Sequence, residues 1–250
     1  MVTTITTAQL SPPPFIMPHV KTHCGTCNLR ELCLPMGLTD IEMDQLDKIV
    51  RHRRRIPRDT ALYRMNDPFT NLYAIRVGHL KTYQVSASGA HHISGFRMTG
   101  ELLGMEAINA CRHQCDAVAL EDSEVCEIPF TELEELLRDV PIMLHHFHRL
   151  MSREITQDHT AMLQLGNLRA EQRFAAFLLN LSTRYKARGY SATNFQLRMS
   201  REEIANFLAL TNETISRLLS QFKKMAWVKA NNREIELLNL PALHALVEGK

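Results

Sequence analysis

The 250-residue chain predicts an α+β fold in three parts: an N-terminal β-roll, one long helix, and a C-terminal winged helix-turn-helix. Three observations carry this. Between about 56 and 130, short alternating runs such as "NLYAIRVGHLKTYQV" and "HHISGFRM" are punctuated by Gly78, Gly89, Gly95, Gly100 and Gly104, the mark of short antiparallel strands joined by turns. From Pro141 to about Gly166 the pattern is helical without a breaker. Then "SREEIANFLALTNETISRLLSQFKK" places two amphipathic segments about a tight link, followed by an alternating stretch around Asn231 and Asn232.

Taken in order, residues 1–20 are Thr- and Pro-rich and read as a disordered tail. Residues 21–140 form the first domain. It opens with a cysteine-rich segment, and a helix follows over 39–52 with Thr39 as its cap, Glu42 three residues on, and Ile41, Leu46, Ile49 and Val50 at helical spacing. Thr131 and Glu134 have the spacing of a second capping box. The helix over 141–166 begins with Pro141, tolerated in a first turn. Along it Leu144, His148, Met151, Ile155, Asp158, Met162 and Leu165 alternate at four and three, which is a heptad seam and predicts a homodimer. Residues 167–250 form the last domain, whose first helix ends at Gly189.

In that last domain Ile204, Phe207 and Leu208 give one helix its inner face, and Ile215, Leu218, Leu219 and Phe222 the next. Thr211 caps the second helix, and Ala209 stands where the turn calls for a positive φ. Glu213, Ser216 and Arg217 then share the outer face. Arg offers a fork to guanine O6 and N7, and Glu accepts from cytosine N4, so this face reads as a DNA reader. Lys223, Lys224, Lys229 and Arg233 suit phosphate contacts. Charge agrees: from Arg169 onward there are 13 Lys and Arg against 7 Asp and Glu, a net of +6, whereas the preceding residues carry a net of −4.

The stretch "HCGTCNLRELC" (residues 23–33) spaces three thiols as C-x2-C-x5-C. With no signal peptide and no apolar run near the roughly 20 residues of a membrane span, a cytoplasmic, non-membrane setting is expected, and clustered thiols there point to metal or redox chemistry. A fourth ligand could come from Cys111, Cys115 or Cys126. Zinc, an iron–sulfur cluster and unligated thiols all remain open on spacing alone. Most of the 12 His read as surface. No Cys-His-Asp nucleophilic set or Gly-rich phosphate loop is evident, so an enzyme is not expected.

Beyond about residue 20 the chain resembles the FNR family, the fumarate and nitrate reduction regulators of the cyclic-AMP receptor protein superfamily. The resemblance lies in "HCGTCNLRELCLP", "MDQLDKIV", "LYAIRVGHLKTY", "VCEIPF", "RLMSREI" and "LTNETISRLL". It implies a [4Fe–4S] cluster on Cys24, Cys27, Cys33 and Cys126, which oxygen converts to a [2Fe–2S] form. It also implies a dimer switch at Met151, Ile155 and Asp158, and TTGAT-like half-sites of promoter DNA read by Glu213, Ser216 and Arg217. RNA polymerase is an implied partner, with the turn "SASGAHHIS" at the position of one contact surface. In a parallel dimer two Asp158 carboxylates about 4 Å apart would cost up to roughly 4 kcal/mol at an effective dielectric near 20. The alternative is a cluster-free or zinc-containing regulator of the cyclic-nucleotide type. Such proteins hold the phosphate with a Glu and an Arg-Ser pair; here Glu101 and Arg112 are kept, but His113 stands where the hydroxyl is expected.

Overall fold

The structure is a computed structural model and describes residues 24–29, 32–50, 52–86 and 89–249. The expected tail over 1–20 lies outside these residues. Helix α1 (Asp40–Ile49) starts on the expected capping box: the Thr39 hydroxyl accepts from the Glu42 N–H, and the Glu42 carboxylate accepts from the Thr39 N–H. Its buried face is Met43, Leu46 and Val50, spaced three and four apart. Ile41, expected inside, is 76% exposed, because it lies about 200° around the helix from Met43.

Eight strands follow: β1 (His52–Ile56), β2 (Ala61–Tyr63), β3 (Asn71–Val77), β4 (His79–Val85), β5 (His91–Met98), β6 (Leu102–Leu103), β7 (Asp116–Ala119) and β8 (Ser123–Pro129). They make two four-stranded antiparallel sheets, ordered β1-β8-β3-β6 and β2-β7-β4-β5. Ile56, Leu62, Ile75, Leu80, Ala117 and Val125 fill the space between them. Gly78 makes the one-residue link from β3 to β4 at φ +94°, where a Cβ would collide with Ser123, so only Gly fits.

Helix α2 (Phe130–Asp139) begins one residue earlier than its expected cap. Pro129 is the N-cap, the Phe130 N–H goes to the Thr70 carbonyl, and no Thr131 capping box forms. Helix α3 (Pro141–Asn167) starts on Pro141 as expected, and α4 (Ala170–Ala187) follows after two residues. The last part adds β9 (Asn194–Gln196), α5 (Arg201–Phe207), α6 (Asn212–Lys224), the hairpin β10 (Val228–Asn231) and β11 (Glu234–Leu237), and α7 (Leu240–Glu248). Strand β9 pairs with β11 and makes the wing three-stranded.

The helix-turn-helix unit does not stand apart from the roll. Ile93, Phe96, Met98 and Leu120 of the roll share one apolar core with α4, α5 and α6. The Glu101 carboxylate takes Arg184 at 2.7 Å and Arg188 at 2.6 Å, both from α4. Asn206 of α5 accepts from the Ile93 N–H and donates to the His91 carbonyl.

Candidate functional site

The four cysteines come from two segments and line one pocket. The Cys27 N–H closes a turn on the Cys24 carbonyl at 3.0 Å, and the Cys33 N–H closes another on the Leu29 carbonyl. Cys126 sits in β8 between Arg53 of β1 and Ala74 of β3. Side chains alternate along a strand, so Val125 enters the inter-sheet core while Cys126 points the other way. That turns its thiol into a pocket shared with Cys24, Cys27 and Cys33, walled by Leu34, Leu46 and Ile128 and bordered by Arg53 and Arg76. Burial pushes the Cys33 thiol up to about 12 and Cys126 up to about 11, and drives Cys24 well above the ordinary thiol range with the Asp47 carboxylate adding to it. For Cys126 the guanidinium groups of Arg53 and Arg76 pull against that burial.

Two groups tie this loop to helices. Asp47 of α1 accepts the Cys24 N–H at 2.5 Å. His146 of α3 lies 3.0 Å from the Cys33 carbonyl through Nε2. Among the described residues no three His, Cys, Asp or Glu side chains close on one point as a single metal ion requires. Cys111 is exposed, and Cys115 is buried in the inter-sheet core beside Glu106. Neither lines the four-cysteine pocket.

At the other end, Thr211 caps α6 by accepting the Thr214 N–H, and Ala209 takes φ 51° in the turn. Ile215, Leu218, Leu219 and Phe222 are buried, which leaves Glu213 and Arg217 exposed and Ser216 half-buried on the outer face. The Glu213 carboxyl is held below the usual range by its own backbone N–H and the Thr211 hydroxyl, so it is an acceptor at neutral pH. Lys223, Lys224 and Lys229 are exposed, the last 3.4 Å from Glu236. Arg233 is half-buried and donates to the Arg198 carbonyl.

Helix α3 has two faces. Met143, His146 and Phe147 are buried against the first domain. Of the heptad positions, Leu144, His148, Ile155, Asp158 and Met162 are exposed, Ile155 at 54% and Met162 at 70%, while Met151 and Leu165 are half-buried.

Residues 172–246 match the Crp-like helix-turn-helix domain, and residues 53–140 match the cyclic nucleotide-binding domain. The transcriptional regulatory protein btr of Bordetella pertussis is 46% identical over 225 residues, covering 90% of this chain and 93% of that one. The fumarate and nitrate reduction regulatory protein of Salmonella typhimurium is 42% identical over 224 residues, covering 90% of each. The chain belongs to the FNR family of the cyclic-AMP receptor protein superfamily. Among solved structures, FixK2 of Bradyrhizobium japonicum is similar, with a TM-score of 0.72 at 28% identity over 78% of this chain and 96% of that one. The FNR-family relatives are transcription regulators rather than enzymes, and this chain carries their DNA-binding helix-turn-helix.

Within this family frame, the residues that a cyclic-nucleotide reading would use are engaged elsewhere. Glu101 is occupied by Arg184 and Arg188, and Arg112 is exposed and donates to the Asn66 carbonyl. His113 is 1% exposed, stacked on Tyr63 at 3.6 Å and bonded to Glu106. Most of the described histidines are at the surface, as expected; His113 and His146 are buried, each with a polar partner. Sequence reading missed Asp47, Arg53, Arg76 and His146 as neighbours of the cysteine pocket. The one usable signal was spacing, since His146 follows Met143 by three on the face opposite the heptad seam.

Proposed function

We propose that the chain is an oxygen-responsive regulator that holds a [4Fe–4S] cluster on Cys24, Cys27, Cys33 and Cys126, dimerises along α3, and then binds palindromic promoter DNA. The observation that carries this reading is that the trio and Cys126, about 100 residues apart in sequence, line one pocket. The donor set suits the group: among the described residues four thiols line an apolar-walled pocket, and the neighbouring Asp47 carboxylate accepts the Cys24 N–H. Relatives named anaerobic regulatory protein, from Pasteurella multocida and Haemophilus influenzae, are 43% and 42% identical and support an anaerobic role.

When bound, the cluster would supply an oxygen-labile link between the 24–33 loop and β8. The chain's residues transmit its state. Leu34 beside Cys33 shares a core with Met143 and Phe147 of α3, so the loop and the start of the helix are packed as one. The outer face of the same helix presents Met151, Ile155 and Asp158 to a second copy. Two copies bring two α6 helices to a palindrome, where Glu213, Ser216 and Arg217 read TTGAT-like half-sites. Contact with RNA polymerase belongs to the activator role named for relatives such as Anr of Pseudomonas protegens, 42% identical. The β4–β5 turn assigned to it includes residues 87 and 88, outside the described residues.

The test is iron and sulfide content after anaerobic purification. Wild type should carry four of each per chain. Serine at Cys24, Cys27, Cys33 or Cys126 should abolish that content, while Cys111→Ser and Cys115→Ser retain it. Loss with Cys115→Ser and full iron with Cys126→Ser would show the fourth ligand to be misassigned.

A further inference from the structure

We propose that His146 is a positioning residue that couples the cysteine loop to the dimer helix, through one hydrogen bond from its Nε2–H to the backbone carbonyl of Cys33. The inference rests on the cluster reading above and adds to it the specific contact by which the loop sets the helix. The carbonyl can only accept, so Nε2 must carry the proton. The contact is 3.0 Å long and joins residues 113 apart in sequence. His146 is 5% exposed, and its Nδ1 is buried with no partner among the described residues.

A polar ring is costly here. Its neighbours on the inner face of α3 are Met143 and Phe147, and an apolar side chain would fill the same place without stranding a nitrogen. The bond to Cys33 is what the ring does that Leu could not. Apolar packing tolerates small rotations of a helix, whereas a hydrogen bond weakens steeply as its angle opens. At about 100° per residue, position 146 lies about 140° from Met151 and on the opposite side from Leu144 and His148. A helix is stiff over these two turns, so the rotation fixed at His146 is the rotation at which Met151 and Ile155 meet a second copy. Movement of the Cys33 backbone releases that setting.

The test compares wild type, His146→Leu and His146→Gln, each full-length and loaded anaerobically. Gln keeps an N–H donor at similar reach, and Leu removes it while filling the space. Iron and sulfide per chain, far-UV circular dichroism and the dimer dissociation constant by sedimentation are measured on all three. Coupling predicts that His146→Leu carries wild-type iron and helix content yet dimerises about tenfold more weakly, and that His146→Gln restores dimerisation. A loaded His146→Leu that dimerises like wild type overturns the proposal. So does His146→Gln failing alongside His146→Leu, which would make the role one of packing. Loss of iron from His146→Leu overturns it too, since the residue would then support the cluster rather than transmit its state. A wild type that takes up no iron and sulfide overturns the cluster reading itself and is seen before any variant is compared.

Discussion

Arg217 and Glu213 owe their exposure to the four apolar residues that α6 turns inward, and this is the simplest route from sequence to specificity in the molecule. Losing a bidentate fork on guanine should cost about 1–3 kcal/mol and relax preference at one base pair. Arg217→Ala is therefore expected to flatten selection at a single position in a half-site library, while Lys224→Ala weakens all sequences alike and lowers the salt slope by about one. Unchanged base preference in Arg217→Ala would remove that assignment. This face was legible because a short amphipathic helix declares its outside by periodicity, and the positive φ of Ala209 followed from the turn alone. The cysteine trio was legible as a trio. Cys126 was not singled out by spacing, because its place beside the trio depends on β8 pairing with both β1 and β3. Asp47 carried no local mark, and the spacing of His146 from Met143 marked only its face of the helix: each meets the loop only through tertiary packing.

Among elements, α3 joins the two ends of the molecule, and its seam carries one acidic position among mostly apolar ones. Asp158 is exposed, within the electrostatic reach of Arg97, which is itself paired with Glu154 across the gap from β5 to α3. Asp158→Ala removes a like charge from the seam and adds an apolar contact, so both effects favour association. The variant should be dimeric in air without its cluster, whereas aerobic wild type should be monomeric, as sedimentation of the two side by side would read. A variant that stays monomeric would place control of the seam elsewhere. The helix itself was legible to within one residue, from Pro141 and an unbroken period. The start of helix α2 was placed two residues late, cap against cap, because the Phe130 N–H bond to Thr70 starts it where no local cap exists. Strand β9 has three residues and exists only by pairing with β11, so periodicity could not find it. Helix α7 was findable: Asn239 accepts the Ala242 N–H with Pro241 in the first turn, a start signal that went unused.

For the whole molecule, the decisive arrangement is that the helix-turn-helix unit docks on its own β-roll. Burial opposes ionisation of Glu101, but Arg184 and Arg188 outweigh it and hold the carboxyl below its usual range. A carboxyl lowered in the folded state stabilises fully above its unfolded value near 4.3 and loses that contribution as pH falls through the lower folded value. Glu101→Gln should cost about 3 kcal/mol at neutral pH, since it leaves two half-buried cations without their anion. The gap between wild type and variant in urea unfolding should then shrink as pH falls from 5 towards 3. A gap constant with pH would mean that this ion pair does not hold the units together. In the proposed dimer, docking of this kind would carry a change at the cysteine loop to α6 by way of the roll and α3.

The central claim is that an intact cluster on the four cysteines sets dimerisation and DNA binding together. The most direct measurement follows one anaerobic sample through a titration with oxygen, reading visible absorbance, sedimentation and binding to a palindromic TTGAT-type duplex at each step. The account predicts a coloured, dimeric, DNA-binding protein whose three signals fall together as oxygen is added, with the Cys126→Ser variant colourless, monomeric and weakly binding from the start. Colourless wild-type protein that binds the duplex equally well with and without oxygen would contradict it.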